Sequence, residues 1–117
     1  MKLDRQPGDE GDPVGRATLD KQFIGDLAGS SRGQMLSIMG DVQGSAGYVA
    51  IERVTGTLGG RSGTFALQHH GIMDRGAQSL LIKVVPDSAT GELVGLRGQM
   101  TIDIREGTHF YAFEYEL

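Results

Sequence analysis

At 117 residues, 38% of them hydrophobic and with a net charge of −4, the chain has the length of one domain and the composition of a globular protein. Its 11 basic residues form no block and are outnumbered by 15 acidic ones, which argues against nucleic acid or an anionic membrane as a partner. Cysteine is absent, which excludes disulfides, thiolate catalysis and cysteine metal sites and agrees with a reducing, cytoplasmic setting.

Residues 1–16, beginning MKLDRQPGDEGDPVG, are rich in Pro, Gly, Asp and Glu and offer little to bury, so they are expected to form a flexible tail. They contain no apolar run of the secretory type, and no run anywhere approaches the ~18–20 residues of a membrane span. From Ala17 onward, short runs of β-branched, aromatic and methionine residues are broken by glycine, and no segment keeps a 3.6-residue apolar stripe. Seven or eight strands are expected, at about residues 17–28, 34–43, 46–58, 63–74, 78–86, 93–105 and 108–117.

Alternation assigns the faces of the later strands. In GYVAIERV, Tyr48, Ala50, Glu52 and Val54 share one side, and Val49, Ile51 and Arg53 share the other. One charged residue must therefore face inward. Glu52 inside would join a set of aromatic and histidine side chains, whereas Arg53 inside would make an anion site. In TFALQHHGIM the better inner set is Phe65, Leu67, His69, Gly71 and Met73, so His69 and His70 point to opposite sides. In LLIKVV an outward Lys83 places Leu80, Ile82 and Val84 inside, and in RGQMTIDIR the inward set is Met100, Ile102 and Ile104. In the last strand, Glu114 and Glu116 mark the outer face. His109, Tyr111, Phe113, Tyr115 and Leu117 are therefore expected to be buried.

Two stretches, GTLGGRSG (56–63) and GELVGLRG (91–98), share the pattern G-x-L-x-G-x-x-G. A phosphate-binding loop needs such glycines to open a helix, and strand-type residues lie on both sides here, so each copy is expected to be a hairpin corner. Adjacent strand histidines point apart and make a poor metal pair. His69, His109 and Glu52 remain a conceivable long-range ligand set, with a hydrogen-bonded core histidine as the simpler reading. Serines fall mostly in expected turns (Ser30, Ser31, Ser45, Ser62, Ser88), without a nucleophile elbow. An inward Glu52 would have its proton affinity raised by desolvation or would pair with a protonated histidine, and groups so poised serve acid–base catalysis. The alternative is a structural polar network.

The blocks TLDKQFIGDLAGSSRGQML, GSAGYVAIERVTGTLGGRSGTFALQHHGIM, VVPDSATGELVGLRGQMTIDI and HFYAFEYEL, in that order, resemble the domain of unknown function 3224 family over about residues 17–117. The resemblance implies small bacterial proteins related in fold to allene oxide cyclase: a single domain, 17–117, folded as an eight-stranded antiparallel β-barrel with a central cavity, usually as a homo-oligomer. It carries no agreed activity, and no cyclase motif matches position by position. The expectation is then a cavity for a small, largely apolar organic molecule, with no cofactor and no metal. Glu52 and His109 are the catalytic candidates for an isomerisation or cyclisation. Tyr48, His69, Tyr111, Phe113, Tyr115, Phe65 and Met100 are the ligand-contacting candidates. A non-catalytic carrier or sensor, and an oligomer whose lumen is filled by its own side chains, stand as alternatives. Outward Val49, Ile51, Leu81 and Val85 mark the expected oligomer face.

Overall fold

The computed structural model describes residues 2–6, 13–105 and 108–117, with side chains described for 13–102 and 110–117. The strands are β1 (Lys2–Gln6), β2 (Val14–Phe23), β3 (Leu27–Met39), β4 (Ala46–Leu58), β5 (Arg61–Asp74), β6 (Ala77–Val84), β7 (Arg97–Arg105) and β8 (Thr108–Glu116). They form one antiparallel sheet in which each strand pairs with its neighbour in the chain. Among the described residues the fold is all-β apart from a single 3₁₀ turn at Gly91–Leu93.

The alternation of side chains decides what this sheet covers. On β4, Ala50, Glu52, Val54 and Leu58 are buried while Val49, Ile51 and Arg53 are exposed; on β5 the buried set is Phe65, Leu67, His69 and Gly71. The sheet curls around these faces. Phe23 of β2 meets Tyr111 of β8 edge-on at 5.4 Å between ring centroids, and Phe65 of β5 lies 6.0 Å from Phe113 of β8. Among the described residues no pairing joins β1 to β8, so the backbone ring of the expected eight-stranded barrel is not closed by hydrogen bonds. The sequence KLDRQ of β1 holds one apolar residue, which leaves little to drive its free edge onto β8.

One end of the interior is filled. β6 pairs with β7 only at Ile82–Met100 and Lys83–Gln99, and the connection after β6 instead follows β5. The Val85 amide donates to the Ala66 carbonyl and the Thr90 amide to that of Thr64, while the Glu92 carboxylate accepts from the Ser62 amide. This route sets Leu93 and Leu96 into a core with Phe23, Leu27, Val54, Leu58, Phe65, Leu67, Ile82, Val84 and Met100. The filled end leaves the opposite half of the interior for the site.

The two G-x-L-x-G-x-x-G stretches behave alike at three offsets. Leu58 and Leu93 are buried, Gly60 and Gly95 take positive φ, and Gly63 and Gly98 lie against neighbouring backbone where a Cβ would collide. Only the first is a hairpin corner; the second forms the 3₁₀ turn and the entry to β7, because the connection there must also cover β5.

Several boundaries depart from expectation. Lys2–Gln6 and Val14–Arg16 of the expected tail are strand, paired with one another and with β3, because backbone hydrogen bonding along β2 compensates for the scarcity of apolar residues; residues 7–12 lie outside the described residues. The first expected strand is cut at Ile24–Asp26, where Gly25 takes positive φ, and the chain returns as β3 from Leu27. Ser30 and Ser31 are therefore strand residues, and Ser31 is buried. Tyr111, Tyr115 and Leu117 are exposed at 36%, 40% and 48% because, among the described residues, β8 has a strand neighbour on one edge only, and Leu80 is 40% exposed at the open end.

Candidate functional site

At the centre of the interior, Lys21 of β2, Glu52 of β4 and His69 of β5 meet. Each is inward by strand parity, within the runs Ala17-Leu19-Lys21-Phe23, Ala50-Glu52-Val54 and Leu67-His69-Gly71. Lys21 and Glu52 lie on strands separated by β3, and Gly33 of β3 makes the approach feasible. It sits opposite both Leu19 and Glu52, and a Cβ there would lie 2.7 Å from Glu52 Cβ. Through that gap Lys21 Nζ donates to Glu52 Oε2 at 2.9 Å. His69 Nε2 lies 2.8 Å from the same oxygen.

The His69 contact is close but is not aligned as a hydrogen bond. Its Nε2 is buried without a well-directed partner, as are Glu52 Oε1 and Ser31 Oγ. Burial pushes the Glu52 carboxyl up, but the close His69 and the charge and hydrogen bond of Lys21 outweigh it and hold it below the usual carboxylate range. Glu52 is thus ionised at neutral pH. Burial, and secondarily the Glu52 charge, pushes the Tyr48 and Tyr111 phenols up, so both are protonated donors at neutral pH.

A cavity of about 620 Å³ opens beyond this cluster. Lys21 and His69 form its polar floor. Leu19, Met35, Ala50 and Met73 line its walls with Tyr48 and Tyr111, and Ile38, Met39, Ile72 and Leu80 stand at its exposed rim. Two hairpin tips are tied together beside that rim: the Gly76 amide donates to the Gly44 carbonyl and the Arg75 amide to Ser45 Oγ. Glu52 is not part of the wall; its side chain is fully shielded behind Lys21 and His69. Tyr48 is fixed by the glycine opposite it, since a Cβ at Gly71 would collide with its ring.

The expected site residues therefore divide. Tyr48, His69 and Tyr111 reach the cavity, with Glu52 directly behind it. Phe65 and Met100 belong to the packed core, Phe113 packs against that core, and the Tyr115 ring lies tilted beside Phe113, 5.2 Å between centroids, with its hydroxyl toward Gly59. These four face the filled end because each strand crosses the whole interior, so one inward face serves both halves. The His109 side chain, and with it the third member of the Glu52–His69–His109 set, lies outside the described residues. Among the described residues no group of three or more His, Asp or Glu is placed to hold a metal ion. His70 points outward, as parity requires.

Lys21 is the site residue that pattern reading missed. Its signal was present in the run Ala17-Leu19-Lys21-Phe23, where a lysine occupies an otherwise apolar inward register.

Residues 2–115 match the family model described as a protein of unknown function, DUF3224. The chain is also similar to the crystal structure of a protein of unknown function from the DUF3224 family of Shewanella oneidensis MR-1. The two share 50% identity with a TM-score of 0.93, over 97% of this chain and 88% of that one. No curated protein matches the chain.

Proposed function

The chain belongs to the DUF3224 family of proteins of unknown function, and from that premise we propose that its cavity binds a small, largely apolar organic molecule carrying one polar group. The observation that supports this reading is the cavity itself. Its volume of about 620 Å³ falls within the roughly 300–1,000 Å³ range of small-molecule sites, and its walls are apolar around a compact polar floor. A lumen filled by its own side chains fits only the opposite end, where Leu93 and Leu96 complete the core.

In this reading the wall is an eight-stranded barrel of the allene oxide cyclase kind, and the contact of Phe23 on β2 with Tyr111 on β8 supports that closure. The apolar body of the ligand lies along Leu19, Met35, Ala50 and Met73, and its polar group meets Lys21 or His69. No cofactor is called for, and a non-catalytic carrier would use the same contacts.

Binding is tested with a neutral apolar fluorophore, N-phenyl-1-naphthylamine. Its emission should rise on adding the protein, and Ala50→Phe, which fills the cavity from β4, should weaken binding at least tenfold. Absence of binding, or binding indifferent to Ala50→Phe, overturns the reading.

A further inference from the structure

We propose, resting on the reading of an organic ligand in the cavity, that His69 is the proton-transfer group of this site, that Glu52 is its fixed counter-charge, and that the ligand class is an enolisable ketone. The argument begins with which members of the cluster a ligand can touch. Lys21 and His69 line the cavity, whereas Glu52 is sealed from it. A carboxylate that no ligand atom can reach takes no proton from one. It can, however, hold an imidazole in place and stabilise its charged form.

The geometry matches that arrangement. His69 Nε2 lies 2.8 Å from Glu52 Oε2, which leaves Nδ1 as the ring nitrogen available to a ligand. Imidazole is the side chain suited to taking and returning a proton near neutral pH. An ammonium has three N–H donors, and Lys21 directs one of them at Glu52, so the others can meet a ligand oxygen at the same floor. Tyr48 and Tyr111 stand on the walls above as protonated phenols. Base and oxyanion donors therefore converge beneath an apolar chamber, which is the demand of enolisation.

The step balances without an oxidant or cofactor. The bond from the α-carbon to hydrogen breaks and the proton passes to His69 Nδ1. The C–H electron pair becomes the carbon–carbon π bond as the carbonyl π pair moves onto oxygen, where the Lys21 ammonium meets the charge. Return of the proton from the imidazolium, to the same carbon or to a conjugated one, restores the protein. The outcome is hydrogen exchange or a shifted double bond.

The test uses 2-tetralone in D₂O, with exchange at its C1 followed by proton NMR and its binding by displacement of the fluorophore. The wild-type chain should exchange the bound ketone about a hundredfold faster than His69→Ala, as expected for loss of a general base. Added imidazole should restore much of that loss, a response that a purely structural histidine would not give. Glu52→Gln should lower the rate at saturating ketone while changing the ketone's affinity less than threefold. His69→Gln, which keeps a polar side chain in the core, should match His69→Ala, so a folding defect in one variant does not decide the result. Exchange by either His69 variant at the wild-type rate overturns the proposal, as does binding of 2-tetralone without faster exchange; in both cases ligand binding stands. Failure of 2-tetralone to displace a bound fluorophore overturns the ketone class, whereas failure of the fluorophore to bind overturns the underlying binding reading.

Discussion

Glu52 shows how a single residue links stability to the site. Its carboxyl has a lower proton affinity in the fold than in the unfolded chain, so the fold gains from its ionisation. That gain is fully present above the unfolded value of 4.5 and is lost as pH falls through the lower value of the folded state. Thermal melts between pH 7 and 3 should show a loss of stability below about pH 4.5 that Glu52→Gln reduces. Lys21→Met, which removes one partner of the buried pair, should cost about 3 kcal/mol at neutral pH, read by urea denaturation, and should weaken the same acid dependence. An acid limb unchanged in both variants would place the responsible group elsewhere. Parity requires one of Glu52 and Arg53 to face inward and leaves open which; the choice falls on Glu52 through its contacts with Lys21 and His69 on other strands, with Val49, Ile51 and Arg53 left on the outer wall. Lys21 was not legible. A lone lysine reads as a solvent residue, and its burial depends on a partner 31 positions away on a strand that is not its neighbour.

At the level of elements, β3 is defined by what it lacks. Gly29 and Gly56 face each other across β3 and β4, and Gly33 faces Glu52, so side chains are missing where β2 and β4 must communicate over β3. Gly33→Ala should therefore destabilise the fold by roughly 1–3 kcal/mol, as overpacking does, and should disrupt the Lys21–Glu52 contact. Gly47→Ala is the matched control. A Cβ there would meet Ile72 at 3.5 Å, an ordinary contact, and chemical denaturation should place this variant within about 0.5 kcal/mol of wild type. Equal costs for the two would show that the gap in β3 is unimportant. The same glycines explain why β3 was the strand least well bounded in advance. Alternation is read from side chains, and Gly29 and Gly33 remove them from the middle of the pattern, so the segment read as a turn. The strands carrying Glu52 and His69 have intact alternation and match expectation almost to their ends, whereas the strand carrying Met100 begins at Arg97, four residues later than its pattern suggests. The tie between the β6–β7 connection and β5 left no such trace, because it rests on backbone amides and on Thr90, Ser88 and Glu92 side chains rather than on an apolar period.

At the scale of the whole molecule, the outer face of the sheet carries a contiguous part of the exposed apolar surface. Register places Leu36, Val49, His70 and Leu81 side by side across β3, β4, β5 and β6, with Ile38 and Ile72 flanking them and Val14 opposite Ile38. The apolar members, on either side of the histidine between them, are 41–46% exposed, and several surround a shallow depression of about 260 Å³. Val85, expected on the same face, is half-buried because its amide is drawn to Ala66. A contiguous apolar strip of this kind is uncommon on a monomer. A second copy of the chain is a suitable cover, since one strip can pack on its own image across a two-fold axis without a complementary surface elsewhere. Light scattering at tens of micromolar should give a mass above that of one chain. Val49→Lys combined with Leu81→Lys should reduce it to a single copy while leaving the far-UV spectrum and the fluorophore affinity unchanged, because both side chains point away from the cavity. A wild-type chain that is monomeric at that concentration would reject the strip as an interface between copies. A double variant that loses ligand affinity along with assembly would instead show that the outer strip holds the cavity wall in shape, linking the two faces of the same strands.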